Sequence, residues 1–419
     1  MINSLLYNLS IHCLSWVYQL ASVFNPKAKK WLDGREITEE VLDEISVFRS
    51  IHPQIDFAWF HCASLGEFEQ GRPVIEAFKK DYPEVKIVLS FFSPSGYEVR
   101  KNYAQADYIV YLPTDTPENA RKFVGIIQPR IAFFVKYEFW SNFLKELKAA
   151  GAKTVGFSVI LRPGQMFFKP YGGFFRSILF RFDHIFVQNK ESGDLLQSIA
   201  YDRYTLAGDT RFDRVAEIAG SVREISVAQR FKAGRQTMVI GSAWAEDMKV
   251  LIPLMNNHPE LSFIVAPHEI SGQEIIAWQS EIKSATVKYS EVQPDTDISQ
   301  AQVLFIDNVG MLSSLYQYAD FAYIGGAFGK GLHNTLEAAV FGVPLFFGNK
   351  NYTKFREALD LIEGGSAFAV GDTRELENLM TGFQKDPKIY SEACKSSSSY
   401  IKDHVGATAK IMQYIRQAL

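Results

Sequence analysis

Cysteine is scarce in this chain: Cys13, Cys62 and Cys394 are the only three in 419 residues and stand far apart. They offer neither a disulfide framework nor paired metal-ligand spacing, and a reducing compartment is the expected setting. A surplus of positive charge is missing too. Lys and Arg number 44 against 47 Asp and Glu, a formal net charge of -3. That balance argues against general nucleic-acid binding and requires any anionic ligand to be held by local groups. There is no long uninterrupted apolar run either. The most apolar stretch, Leu5 to Phe24, is broken by Asn8, Ser10, His12 and Gln19. It is too polar to be read as a membrane span, and it lacks the basic start and small-residue cleavage site of a secretory signal. Lys27, Lys29, Lys30 and Trp31 follow it, a grouping that suits a helix lying on a membrane surface whose phosphates attract lysine. A helix packed on its own domain is the competing reading. Low complexity is confined to Ser396 to Ser399.

What is present is an alternation of short apolar β-rich runs with helical stretches, the pattern of parallel sheets covered by helices. FAWFHCAS, KIVLSFFS, DYIVYLP, RIAFFV, KTVGFSV and HIFVQN read as strands of a first half. MVIGSAW, SFIVAPH, ATVKYS, VLFIDN, FAYIGGAF, PLFFG and AFAVG read as strands of a second. EVRKNYAQA is expected to be a helix, as is one continuous stretch from about Tyr390 to Leu419. Length alone suits two α/β domains. The expected boundaries are 1–35 for an N-terminal membrane-associated helix, 36–213 for a first Rossmann-like domain and 214–400 for a second. Residues 401–419 form a last helix packing back on the first. Two such halves bind ligands beyond the carboxyl ends of their strands, in a cleft between them.

The strand-end loops therefore hold the candidates. His61-Cys62-Ala63-Ser64-Leu65-Gly66-Glu67 places a carboxylate near a helix start, where its ionised form is favoured and where it can take a proton from a hydroxyl. A plain helix-capping Glu would look the same. Phe92-Ser93-Pro94-Ser95-Gly96 offers hydroxyls ahead of a helix. Lys136-Tyr137-Glu138-Phe139-Trp140 brings a cation, a carboxylate and aromatics to one loop. Ser64, Gly66, Ser93, Ser95 and Lys136 are thus the candidate acceptor contacts. Gly208-Asp209-Thr210-Arg211-Phe212-Asp213 carries a guanidinium whose fork suits phosphate, although an Arg–Asp pair is the alternative. In the second half, Gly325 to Gly331 leads into a helix expected to begin near His333 or Asn334. Its N–H groups, at Gly326 and Gly329 among others, suit phosphate, and Glu337 suits ribose hydroxyls. The spacing is neither the Walker nor the dinucleotide fingerprint. Ser242 and His268 end two further strands and complete the candidate nucleotide contacts.

HCASLGE, FFSPSG, YLPTD at 111 to 115, EFW followed by Asn142, VQN at 187 to 189, GDTRFD and GGAFGKGLHNTLEAA, in this order, resemble the Kdo transferases, which add 3-deoxy-D-manno-octulosonic acid to the lipid A precursor. The resemblance implies a GT-B fold, CMP-Kdo as donor, a lipid A precursor (lipid IVA) as acceptor on the cytoplasmic face of the inner membrane, and inversion without a metal or other cofactor. It implies Glu67 as base, Glu138 as a second active-site carboxylate, Arg211 near the donor, and Asn334 and Glu337 in the nucleotide-binding stretch. Val135-Lys136-Tyr137 and APHE at 266 to 269 depart from the family pattern. A nucleotide-sugar epimerase-like enzyme of the same fold, acting on a soluble substrate, is the principal alternative. A two-lobed binding protein would call for an export signal and no carboxylate in the first loop. Neither the number of Kdo units nor the oligomeric state is written in these motifs.

Overall fold

The computed structural model describes residues 2–419, which fall into two compact units. The first comprises residues up to 214 together with 405–419, and the second 215–404. Each unit contains one seven-stranded, wholly parallel sheet with helical connections. This is the α/β, GT-B-type fold class.

The first unit opens with a helical pair, α1 (Ile2–Ser22) and α2 (Pro26–Ile51). Residues 1–35 are therefore not one helix: Asn25 caps α2 by accepting from Lys27 N–H at 2.9 Å, and Pro26 supplies the preset first-turn φ. Nor does Trp31 face outward with the lysines. It is buried, stacks on Tyr18 at 4.1 Å and lies under the Arg35 guanidinium at 3.3 Å. The polar interruptions of α1 dock it. Tyr7 donates to Asp115 at 2.5 Å, and Asn8 Oδ1 accepts from Asn142 Nδ2 at 3.0 Å. Asp115 also accepts the N–H groups of Asn142 and Phe143, at 3.0 and 2.9 Å, at the start of helix Ser141–Ala149. Burial pushes its carboxyl up to about 6 against the pull of those donors and of Arg181. The opposite stripe of α1, with Leu5, Leu9, Trp16 and Leu20, is left exposed.

The strands of this unit are β1 (Phe57–Cys62), β2 (Lys86–Phe91), β3 (Tyr108–Tyr111), β4 (Ile131–Val135), β5 (Lys153–Val159), β6 (His184–Val187) and β7 (Tyr204–Leu206), in the order β3-β2-β1-β4-β5-β6-β7. β1 is buried along its whole length, as an inner strand covered on both faces must be. Its Phe60 stacks on Phe133 of β4 at 4.2 Å. Helices α3 (Leu65–Asp81) and α4 (Pro94–Arg100) leave β1 and β2. The expected helix EVRKNYAQA is shifted, because Pro94 fixes the start of α4 and the helix ends at Arg100. Close packing is enforced where α2 crosses β3. A Cβ on Gly34 would lie 2.1 Å from the Tyr111 ring, and Thr38 Oγ1 both accepts from Tyr111 N–H (3.1 Å) and donates to its carbonyl (3.0 Å).

The second unit has β8 (Thr237–Ala243), β9 (Ser262–Pro267), β10 (Thr286–Lys288), β11 (Val303–Phe305), β12 (Phe321–Ile324), β13 (Leu345–Gly348) and β14 (Ala367–Val370), ordered β10-β11-β9-β8-β12-β13-β14. The C-terminal stretch is two helices, Pro387–His404 and Ala407–Ala418, broken at Gly406 with φ 110°. The second of these belongs to the first unit, where Asp213 accepts the N–H groups of Gly406 and Thr408.

Two helical glycines give a direct test of packing. Gly125, exposed in helix Pro117–Ile127, has nothing within 4 Å of an added Cβ. Gly125→Ala is expected to stabilise by about 0.4–1 kcal/mol. Gly34→Ala is expected to destabilise by about 1–3 kcal/mol through overpacking. Urea titrations of the two variants should move their midpoints in opposite directions.

Candidate functional site

In an open parallel sheet the ligand crevice forms beyond the carboxyl ends of the strands where the strand order reverses. In the first sheet that point lies between β1 and β4, and in the second between β8 and β12. The loops leaving these four strands carry most of the candidates.

After β1, Ala63 carbonyl accepts from both Phe92 N–H (3.2 Å) and Ser93 N–H (2.8 Å), tying the loop that carries Ser64 to the loop that carries Ser93 and Ser95. Those two serines bond each other at 2.7 Å. Glu67 sits in the first turn of α3, half-buried, and its Oε2 accepts the Ser64 hydroxyl. Ser64 makes no capping bond to the helix, so the pairing is between side chains alone. The turn does not demand glycine at position 66, because a Cβ there would meet only Ser64 Oγ, at 3.7 Å.

After β4, Lys136 adopts φ 66°, a left-handed conformation costly for a residue with a side chain, while its N–H stays bonded to Phe157 carbonyl at 2.9 Å. Its ammonium lies 5.5 Å from the Tyr137 ring centroid. Two residues on, Glu138 Oε2 accepts from Trp140 Nε1 at 2.7 Å and contacts His61 Nε2 at 3.1 Å. The ring's other nitrogen, Nδ1, lies 2.8 Å from Ser90 Oγ. Glu67 and Glu138 converge on one neighbour, the buried Cys62. Burial first, then these two carboxylates, push its thiol well up, which removes it as a nucleophile.

Arg211 belongs to the first unit and the other donor candidates to the second. Its Nε and Nη2 lie 2.9 and 2.8 Å from Asp209 Oδ2. Burial of Asp209 opposes ionisation, but the Arg211 charge and bonds outweigh it and hold the carboxyl below its usual range. The Arg–Asp alternative is thus present in the structure.

In the second unit the glycine-rich loop differs from expectation. Its N–H groups are largely spent inside the protein: Gly325 on Gly241 carbonyl, Gly326 on Asp247, Gly329 and Gly331 on Gly326 carbonyl, and His333 on Gly325 carbonyl. The helix that follows is a single turn, Leu336–Ala339, rather than one starting near His333 or Asn334. Asn334 Oδ1 accepts its Leu336 N–H at 3.1 Å, while Asn334 Nδ2 donates to Glu337 at 3.0 Å. The glycines serve close approach. A Cβ at Gly325 would fall 2.2 Å from Ser242 carbonyl, and one at Gly326, where φ is 93°, 2.4 Å from Gly331 carbonyl. Ser242 itself has φ 53° at an irregular point of β8.

The loop is held by a residue that sequence reasoning missed. Asp247 accepts from Trp244 N–H (3.0 Å), Gly326 N–H (2.9 Å) and the Tyr323 hydroxyl (3.1 Å). An aspartate three positions after the residue that caps the next helix, Trp244, was the available signal. Above it, His268 is sandwiched between Trp244 (4.3 Å) and His333 (4.4 Å), and the Lys330 ammonium lies 3.9 Å from the Trp244 ring centroid. His333 Nε2 accepts from Trp244 Nε1 at 3.1 Å. Among the described residues, no group of three or more His, Cys, Asp or Glu side chains has the arrangement of a metal site.

Residues 37–214 match the family described as 3-deoxy-D-manno-octulosonic-acid transferase (kdotransferase). The chain is similar to the 3-deoxy-D-manno-octulosonic acid transferase of Chlamydophila psittaci, 27% identical over 70% of this chain and 69% of that one. It is also similar to the enzyme of that name from Haemophilus influenzae, 21% identical over 86% and 87%. In structure it resembles UDP-GlcNAc 2-epimerase from Neisseria meningitidis, with a TM-score of 0.61 at 14% identity, covering 86% of this chain and 100% of that one. At that identity the structural likeness speaks to fold alone.

The His333–Trp244 bond predicts a pH dependence. Burial, then His268, lower the His333 imidazole from 6.5 to about 4. Below pH 6.5 the unfolded chain binds a proton that the folded chain refuses, so stability falls as pH drops from 6.5 toward 4. His333→Gln, which has no titrating group, is expected to flatten this part of the slope in denaturant titrations at pH 7.5 and 5.

Proposed function

We propose that the chain, a glycosyltransferase similar to the 3-deoxy-D-manno-octulosonic acid (Kdo) transferases, moves Kdo from CMP-Kdo to a hydroxyl of a lipid A precursor, lipid IVA, in lipopolysaccharide synthesis. Glu67 is the base in this reading. The observation that carries it is the place of Glu67: in the first turn of α3, at the reversal of the first sheet, with Oε2 engaged by Ser64 and Oε1 without a hydrogen-bond partner among the described residues. Oε1 takes the proton of the acceptor hydroxyl as its oxygen attacks the anomeric carbon of Kdo. The bond from that carbon to the CMP phosphate oxygen breaks, and CMP leaves with the electron pair. Inversion follows from displacement in one step, and the scheme calls for no metal or other cofactor.

Glu138, Lys136, Ser64, Ser93 and Ser95 serve the acceptor in this reading, with Gly66 leaving the loop open. Ser242, His268, Asn334 and Glu337 serve the donor, and Arg211 is assigned to its phosphate. The inward-turned N–H groups of Gly326 and Gly329 shift anion binding toward side chains, and Lys330 over the Trp244 ring is one cation beside that loop, with Lys354 close to Gly331. The sequence relatives favour a transferase over the epimerase-like alternative, which would need no lipid contact.

For a lipid acceptor the enzyme must meet a membrane. Among the described residues no helix is long and apolar enough to cross one. The exposed stripe of α1, with Lys27, Lys29 and Lys30 beyond it, fits a helix lying on the cytoplasmic face of the inner membrane.

Glu67→Gln is expected to lower transfer by a factor of about 10²–10⁴ while CMP-Kdo binding stays near normal. Mass spectrometry of the product made from CMP-Kdo and lipid IVA reads both the reaction and the number of Kdo units. Near-normal transfer by Glu67→Gln would remove the base assignment. The triple variant Leu9→Glu, Trp16→Glu, Leu20→Glu, which spares the docked Tyr7 and Asn8, is expected to keep its fold and lose co-sedimentation with anionic vesicles. Unchanged sedimentation would place the membrane contact elsewhere.

A further inference from the structure

We propose that His61 is a positioning residue for transfer, acting through Glu138 as the inner link of a buried hydrogen-bond line; this rests on the reading of Glu138 as a carboxylate that meets the acceptor. The line starts at Trp59, whose indole N–H can only donate and is spent on Ser90 Oγ at 2.8 Å. A hydroxyl that accepts from Trp59 has one proton to give, and its second partner is His61 Nδ1 at 2.8 Å. The Glu138 carboxylate can only accept, so Nε2 carries the proton and donates to Oε2 at 3.1 Å, and in the neutral ring Nδ1 is left to accept the Ser90 proton, which makes the imidazole the Nε2–H tautomer. Trp140 Nε1 donates to the same oxygen at 2.7 Å. With Oε2 occupied twice, Oε1 is the oxygen presented to a ligand hydroxyl.

The fold over-determines this arrangement. His61 and Ser90 are register partners on β1 and β2, and Trp59 and His61 share one face of β1. All three are fully buried. The Trp59 ring is held edge-on by Phe123, Phe134 and Phe143 at 5.0 to 5.5 Å. Reversing any one bond would leave a buried donor or acceptor without a partner, a costly outcome. The orientation of Glu138 is in this way set from inside the sheet rather than by its own mobile loop. A histidine placed there for packing alone would not need its tautomer chosen.

The test uses the full-length enzyme with CMP-Kdo and lipid IVA. His61→Phe keeps a ring and loses both nitrogens. It is expected to lower kcat by about 10–100-fold, with KM for CMP-Kdo changed less than about twofold, the ratio expected when only acceptor alignment is lost. His61→Gln retains an N–H that reaches toward Glu138 and is expected to restore most of the rate. Imidazole ¹⁵N shifts of histidine-labelled protein, with the His61 signals identified by their absence in His61→Gln, are expected to report the Nε2–H tautomer in the wild-type chain. Wild-type kcat in His61→Phe, a Gln variant as impaired as Phe, or the Nδ1–H tautomer would each overturn the proposal. If His61→Phe does not fold, the Gln variant and the tautomer decide. Glu138→Gln separates the two levels: full activity there refutes the role of Glu138 itself, whereas loss there with normal His61→Phe refutes only the role of His61.

Discussion

A strand buried on both faces holds a polar side chain at a cost unless its hydrogen-bonding atoms find partners inside the protein, and both units turn this constraint toward the carboxyl ends of their sheets. In the first, the line from Trp59 through Ser90 to His61 crosses the interior of the sheet and ends on Glu138. In the second, Asp247 gathers donors from the loop after β8, from the glycine-rich loop and from Tyr323 within β12. Burial raises the Asp247 carboxyl and the three donors pull it back. In each unit, loops that would otherwise be free to move are fastened to the most rigid layer of the fold. Preorganisation of this kind is what displacement chemistry needs, since small errors in alignment are costly in rate.

The N-terminal helical pair answers a different physical problem. A helix that lies on a membrane must be apolar on one side yet fixed to its protein on the other. Tyr7 and Asn8 provide the fixing through Asp115 and Asn142, and Ile11 and Tyr18 continue that face. The same polar residues weaken α1 as a membrane span, so one set of side chains both docks the helix and keeps it too polar to cross a bilayer. Soluble monomers rarely leave so large a contiguous apolar stripe uncovered.

Much of this was legible from the residues. Long apolar runs marked thirteen of the strands because doubly covered parallel strands must be apolar. β7 was missed because, although β10 is just as short and also partly exposed at its own sheet edge, β10 stands in the β-branched run ATVKYS and β7 in the polar stretch YDRYTL. The break in the C-terminal helix was missed because Gly406 sits within a stretch that is helical on either side. Glu67 and Glu138 could be located because strand-to-helix loops are recognisable in sequence. Their partners could not, since the bond from Ser90 to His61 depends on the register of β1 against β2, a property of the assembled sheet. YLPTD and GDTRFD were visible as motifs, but the work of Asp115 and Asp213 in fastening distant helices, and of the buried Asp209 in holding Arg211, appears only in three dimensions.

The glycine-rich loop is where local sequence and tertiary packing part most clearly. Read locally, glycines before a helix signal N–H groups open to phosphate. In the folded unit the same glycines are needed because Ser242 and Gly331 carbonyls pass too near for any Cβ, and the loop folds onto Gly326 with its N–H groups already used. The helix beyond is one turn long and brings little dipole. In the proposed donor role the charge is left to side chains such as Lys330 against Trp244, beside which His268, from the loop after β9, stacks on His333, both imidazoles being pushed toward the neutral form by burial. Glycine here buys backbone closeness, and that closeness is what brings an aromatic and imidazole surface together at the reversal point of the second sheet.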